Sequence, residues 1–179
     1  MKTYEMHKKD APKKLKFAVI TISDSKYLNF CRKENIEDKS GETIISKLRE
    51  KQHEVVFYTV VPDQPEMICG IIEYVIDRFS PDVIVTTGGT GVSYYDVTIE
   101  TLKNLFDKEI DGFGELFRKL SFEQIGTSAL LSRATAGVYC GVVIFSLPGS
   151  PQAVEMGIKI ILEEAPHIAK HAREGYANL

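Results

Sequence analysis

Four short apolar runs, each stopped by small or polar residues, constrain this chain more than any other feature. They are KFAVITIS from Lys16, EVVFYTVV from Glu54 to Val61, the run from Pro81 to Thr87, and VVIFSLP from Val142 to Pro148. Such β-branched runs without alternation are what strands covered on both faces look like. Between them lie stretches of helical period. Ile44, Ile45 and Leu48 form one stripe; Met67, Ile68, Ile71, Ile72, Val75 and Ile76 form a broader one; Ile99, Leu102, Leu105 and Phe106 form a third. Spacings of three and four put each set on one face of a helix. The resulting βαβαβα order, with short connections, implies an α/β fold: a parallel sheet with helices on both sides.

The remaining segments are less regular. Asp24 to Lys39 reads as a long polar loop, which usually means function or disorder. Ser40 or Gly41 opens the first amphipathic helix, and Pro62 stops the second strand because it donates no ladder hydrogen bond. GFGELFRKLSFEQIGTSALLSR, Gly112 to Arg133, reads as helical pieces broken at Gly114 and Gly126. In GSPQAVEMGIKIILEE, Ser150 is the N-cap and Pro151 the first helical residue. Pro166 is expected to end or kink that helix. Residues 15–179 form a single domain, in keeping with a length of 179 residues and 44% hydrophobic content. Residues 1–14, polar and basic, read as a flexible N-terminal arm that is either solvated or ordered in an oligomer.

Composition excludes several classes. A net charge of −3 argues against affinity won by neutralising nucleic-acid phosphates, although a local anion site remains open. Cys31, Cys69 and Cys140 are an odd set without close spacing, so neither a disulfide framework nor a zinc knuckle follows. No segment approaches the ~20 apolar residues of a membrane span, and the N-terminus lacks the apolar core of a signal peptide. A soluble, cytoplasmic protein is the expectation. His167 and His171 are four apart, but a metal pair there lacks a third ligand.

In parallel α/β sheets, ligands bind beyond the carboxyl ends of the strands. Four segments fall there: TISDS (Thr21 to Ser25), VPD (Val61 to Asp63), TTGGTG (Thr86 to Gly91) and LPGSP (Leu147 to Pro151). Gly88, Gly89 and Gly91 permit positive φ and expose backbone N–H groups, which is either an anion cradle or only a tight strand-to-helix turn. The run has neither the Lys and Ser/Thr of a Walker loop nor dinucleotide spacing. Asp96 before an apolar helical run reads as an N-cap, or as a carboxylate for Mg²⁺ on a triphosphate. Asp63 has the same two readings, and Asp24 shares the rim.

Taken together, TISDS, the DKSG at Asp38 to Gly41, VPD, TTGGTG with its DVT, GFGELFRKLSF, LLSRATAG and LPGSP resemble the molybdopterin-binding family of molybdenum cofactor biosynthesis. That family comprises the MoaB/MogA proteins and the G domains of larger fusions. The resemblance runs from about Phe17 to about Ala169, and LSFEQIGTSALLSRATAG is most similar to the MoaB branch.

The resemblance implies a three-layer α/β/α sandwich with a mostly parallel sheet. It also implies an enzyme, molybdopterin adenylyltransferase, in which the terminal phosphate of molybdopterin attacks the α-phosphate of Mg·ATP. The products are adenylylated molybdopterin, ready for metal insertion, and pyrophosphate. Asp63 matches the acid of the family's PD motif and Asp96 that of its RD motif, the pair for Mg²⁺ and catalysis. Ser23, Ser25, Gly41, Thr87, Gly88, Gly89, Thr90, Gly91, Thr98, Ser132, Arg133, Pro148, Gly149 and Ser150 match the pterin and phosphate pockets. A homotrimer or homohexamer, and a metal-insertion protein downstream, are implied as partners; neither nucleic acid nor membrane is. Active relatives usually carry Pro-Arg before the second acid, whereas this chain has Tyr94 and Tyr95. A tyrosine offers one hydroxyl and a stacking face in place of a bidentate cation. The alternative is therefore a non-catalytic molybdopterin carrier, with a plain regulatory nucleotide binder as a third reading.

Overall fold

The apolar runs become the strands of one sheet. The computed structural model describes residues 12–174 and 176, so residues 1–11 of the expected N-terminal arm lie outside the described residues. The elements are β1 (Lys16–Ile22), α1 (Asp24–Cys31), α2 (Lys39–Glu50), β2 (Glu54–Val61), α3 (Pro65–Phe79), β3 (Val83–Thr87), α4 (Thr98–Leu105), β4 (Lys108–Glu109), α5 (Asp111–Ile125), a 3-10 turn (Gly126–Leu131), β5 (Thr135–Tyr139), β6 (Val142–Leu147) and α6 (Pro151–Arg173).

Sheet order is β2-β1-β3-β6-β5-β4. The first four strands are mutually parallel, and β5 and β4 add antiparallel pairs. Because side chains alternate along a strand, the sheet has two apolar faces. Phe17, Val19, Val83, Val85, Val143 and Phe145 pack with α2, α5 and α6 residues such as Leu48, Phe117 and Ile161. Ala18, Ile20, Ile84 and Ile144 meet Ile68, Ile72 and Val75 of α3 and Leu102 of α4. This is the expected α/β/α sandwich. Thr21 pairs in register with Thr87, and Thr87 with Leu147, so three carboxyl ends finish level with one another.

Several boundaries differ from expectation. The polar stretch after Asp24 is not all loop: Asp24–Cys31 is helical, capped by Ser23, whose Oγ accepts from the Lys26 N–H. α1 buries no residue, and its apolar Leu28 and Phe30 are exposed. Strand β5 escaped a reading based on long apolar runs because it is short and built around small residues; β6 and a two-residue turn at Cys140 and Gly141 hold it in an antiparallel hairpin. Pro166 does not end α6, which continues to Arg173.

Gly114 does not break α5 either. The helix runs through it to Ile125 and stops at Gly126, whose φ is +60°. Gly114 serves close packing, since a Cβ there would lie 2.7 Å from the Ala134 carbonyl oxygen. Gly114→Ala should therefore destabilise the fold by about 1–3 kcal/mol through overpacking, despite alanine's higher helix propensity. Urea denaturation of the two proteins measures the difference.

Candidate functional site

The level carboxyl ends of β1, β2, β3 and β6 form a rim, and short-range backbone bonds lock its turns together. The Ser23 N–H donates to the Val61 carbonyl at 2.9 Å, and the Gly88 N–H to the Leu147 carbonyl at 3.0 Å. Thr87 Oγ1 donates to the Pro148 carbonyl at 3.1 Å. The expected segments TISDS, VPD, TTGGTG and LPGSP thus meet on one side of the sheet.

The glycine loop needs its glycines. Gly88 and Gly89 hold φ of +104° and +62°, values that L side chains adopt only with strain. A Cβ on Gly88 would overlap the Ile22 carbonyl oxygen, and one on Gly89 would overlap both Asp63 Oδ1 and Thr98 Oγ1. The loop backbone therefore lies directly against the Asp63 carboxylate and the first residue of α4. The Thr98 N–H returns to the Gly89 carbonyl at 3.0 Å.

Asp63 is the focus of the site's electrostatics. Its Oδ1 and the Thr98 Oγ1 are both buried without a hydrogen-bond partner among the described residues, a costly state for polar atoms. Burial, and then the charges of Asp24 and Asp96, push the Asp63 carboxyl up to about 6. The Asp63 N–H meanwhile donates to Asp24 Oδ1 at 3.0 Å. The carboxylates of VPD, TISDS and the DVT segment are thus close enough to feel one another, and the charges that act on Asp63 among the described residues are both negative.

Asp96 is not the cap it resembled. Val97 occupies the N-cap position of α4 without a side-chain cap bond. The Asp96 carboxylate turns back into the loop, where Oδ2 accepts from the Ser93 N–H at 3.0 Å and lies against Gly91. The short loop turn competes successfully for the carboxylate, which leaves it on the cradle side. Ser150 does cap α6, accepting from the Ala153 N–H at 3.3 Å. That aims a helix N-terminus, with its partial positive charge, at the rim.

Among the expected pocket residues, Arg133 has a structural engagement. One guanidinium nitrogen donates to the Gly91 carbonyl at 2.7 Å, and another pairs with Glu100. It braces the glycine loop against α4, with Ser132 one residue before it. Ser23 and Ser25 stand 3.3 Å apart at their hydroxyls at the start of α1. Thr90 is buried, and Pro148 and Gly149 lie in the turn before Ser150. Tyr94 and Tyr95 do not pack into the core: they are 92% and 73% exposed, and their rings meet edge to face at 5.7 Å.

Two contributors were not singled out from the sequence as site residues. Asp38, 2% exposed, receives Thr21 Oγ1 at 2.5 Å and Tyr58 OH at 2.7 Å on Oδ2, with Lys26 Nζ at 3.0 Å and the Gly41 N–H at 3.3 Å on Oδ1. Burial raises its proton affinity, but these donors together hold it below the usual carboxylate range. Gly41 thus belongs to this hub, where its missing side chain leaves room for the Asp38 carboxylate. Ser40 Oγ donates to the Gly149 carbonyl at 2.7 Å, tying DKSG to LPGSP. The available signals were the DKSG segment of the family pattern and its capping spacing, an aspartate three residues before the glycine.

Among the described residues no group of three or more His, Cys, Asp or Glu is arranged to hold a metal ion by itself. The His167 and His171 rings meet edge to face at 4.7 Å. One or two carboxylates suffice for Mg²⁺ when phosphate oxygens complete its shell, and the bare Asp63 Oδ1 fits that role.

A family model described as a probable molybdopterin-binding domain matches residues 18–168. The probable molybdopterin adenylyltransferase of Methanocaldococcus jannaschii is 48% identical over 170 residues, covering 95% of this chain and all of that protein. The molybdopterin adenylyltransferase of Pyrococcus furiosus is 50% identical over 175 residues, covering 95% and 98%. The crystal structure of the tungsten cofactor synthesizing protein MoaB from Pyrococcus furiosus superposes with a TM-score of 0.77 at 47% identity, covering 91% of this chain and 99% of that one.

An acid whose carboxyl is raised in the folded state contributes stability below the ordinary carboxylate range and loses it as pH rises through about 6. Asp63→Asn should therefore match the parent Tm near pH 4 and exceed it at pH 7.5. Calorimetry without nucleotide or divalent cation measures both.

Proposed function

The chain belongs to the molybdopterin-binding domain family, and from that premise we propose that it is a molybdopterin adenylyltransferase of molybdenum cofactor biosynthesis. The terminal phosphate oxygen of molybdopterin attacks the α-phosphorus of ATP, the bond to the β-phosphate bridge breaks, and pyrophosphate leaves. The observation that carries the reading is the buried, unpartnered Asp63 Oδ1 lying against a glycine loop at the strand ends. A carboxylate in that state calls for a cation, and the Mg²⁺ that accompanies ATP supplies one. Asp63 and Asp96 would hold it.

The chain's own groups then position and neutralise. Phosphoryl transfer asks mainly for alignment and charge stabilisation. The N–H groups of the Thr87 to Gly91 loop and the N-terminus of α6 at Pro148, Gly149 and Ser150 face the rim, with Ser23, Ser25 and Thr98 offering hydroxyls. Lys26 is engaged by Asp38, and Arg133 by Gly91 and Glu100. The site therefore relies on helix ends and Mg²⁺ more than on side-chain cations. Arg133 supports the cradle from behind.

Incubation of the purified protein with molybdopterin, ATP and Mg²⁺ tests the reading. Adenylylated molybdopterin and pyrophosphate are expected, and Asp96→Asn should form them about a hundredfold more slowly. Tyr95 favours a second reading, a molybdopterin carrier, because its exposed ring stands where active relatives place an arginine. Molybdopterin bound by the wild type with no product formed would establish the carrier and dismiss the enzyme.

We also place a threefold contact on α5 and the turn after it. Phe122, Ile125, Leu130 and Leu131 are more than half exposed there, and Phe122 and Leu130 line one apolar cleft with Ala129. Exposed apolar groups concentrated in this way mark interaction surfaces. A trimer, alone or doubled, is the assembly expected, in the cytoplasm. No helix among the described residues is long and apolar enough to cross a membrane. Leu130→Asp should reduce the mass in solution to one third, read by light scattering.

A further inference from the structure

The turn between the glycine loop and α4 carries aromatic area that the fold leaves unused. Val92, Tyr94 and Tyr95 are 68%, 92% and 73% exposed, three large apolar side chains within four positions beside the rim. Exposed area concentrated in this way marks a contact that the free protein leaves unmade. The turn is nonetheless held firmly. The Asp96 N–H donates to the Ser93 carbonyl at 3.0 Å, the Ser93 N–H to Asp96 Oδ2 at 3.0 Å, and the Tyr95 N–H to Ser93 Oγ at 3.3 Å. Tyr94 and Tyr95 are thus the two central residues of a closed β-turn, and their rings cross at an interplanar angle of 83°.

The base of this turn is part of the cradle. Asp96 lies against Gly91, its charge is felt at Asp63, and Arg133 holds the Gly91 carbonyl at 2.7 Å. Consecutive Cα atoms are about 3.8 Å apart, so Tyr95 begins one residue from a carboxylate that the adenylylation reading places on Mg·ATP. The base of that nucleotide is joined through one ribose to the phosphates in the cradle. Ser93, Tyr95 and Asp96 spend their backbone N–H groups within the turn, so what it offers a ligand is chiefly ring faces. A tyrosine presents such area at low entropic cost, having only two side-chain torsions to fix.

We infer that Tyr95, steadied by Tyr94, is the stacking surface for the nucleobase of the triphosphate, and that the site consequently accepts GTP as well as ATP. The inference rests on the adenylylation reading for the position of the phosphates. Every base has a π-face, so stacking supports binding without reading the hydrogen-bonding edge of the base. Strong discrimination needs buried polar groups matched to that edge, and a turn this exposed is poorly placed to supply them. An arginine at position 95 would add a cation for phosphate. The tyrosine moves that affinity from the phosphates to the base. With GTP the same displacement at the α-phosphorus releases pyrophosphate and leaves guanylylated molybdopterin.

Calorimetric titration of the full chain with Mg²⁺ and, separately, ATP, GTP and inorganic tripolyphosphate tests this without molybdopterin, so that no turnover intervenes. A parallel titration uses molybdopterin alone. Wild type should bind ATP and GTP within about tenfold of each other. Tyr95→Ala should weaken both about tenfold, as loss of one base–aromatic contact does, and Tyr95→Phe should retain both. Tripolyphosphate has no base and should bind wild type and both variants alike, which separates a lost stacking partner from a collapsed loop. Equal ATP affinity in wild type and Tyr95→Ala, a matching loss of tripolyphosphate, or no nucleotide bound at all overturns the inference. So does a preference for ATP over GTP beyond about tenfold, or a Tyr95→Ala defect confined to molybdopterin. Base-dependent binding through Tyr95 with no adenylylated product sinks only the enzymatic reading. Adenylylated product with nucleotide affinity indifferent to Tyr95 sinks only the stacking.

Discussion

The rim of this protein is organised around one buried carboxylate. Asp38 sits 2% exposed, a position that costs a charged group several kcal/mol unless its lone pairs are filled. Donors from β1, β2, α1 and α2 fill them: Thr21, Tyr58, Lys26 and the Gly41 N–H. Four elements that share no local sequence are thereby held to one point. From there Ser40 reaches the Gly149 carbonyl, and Thr87 and Gly88 close on Pro148 and Leu147. The cradle's geometry is inherited through this chain of bonds.

The opposite condition holds at Asp63. Its Oδ1 is buried without a partner, and burial with two neighbouring acids raises its proton affinity. One aspartate is satisfied and structural; the other, on the same rim, has no donor at Oδ1 among the described residues. Preorganised sites commonly carry such local cost where charge will later arrive. The contrast separates the two carboxylates by their hydrogen bonding, which neither position in the sequence does.

Much of the fold was legible because it is local. β-branched runs and helical stripes gave β1, β2, β3, β6, α2, α3, α4 and α6, and the Ser150–Pro151 pair marked the start of α6 correctly. The misses have two causes. α1 buries nothing, β5 exists through pairing with β6, and Gly114 answers to the Ala134 carbonyl rather than to helix propensity. Pro166 is tolerated inside a long helix packed along the sheet. For β5, Gly114 and Pro166 tertiary contact outweighed a local preference worth little by comparison, whereas α1 rests on the local Ser23 cap.

For the site, the sequence by itself determined which segments would lie at the carboxyl ends of the strands, because strand order and connection length leave few alternatives. It also carried the family's pattern of glycines and acids. Only the tertiary structure decided what those residues do. Asp96 turns from its helix toward Ser93, Arg133 braces Gly91 across 42 residues of chain, and Asp38 gathers donors while Asp63 has none at Oδ1. Hydrogen-bond satisfaction is a property of position in space, and periodicity along a chain does not encode which distant donor will arrive.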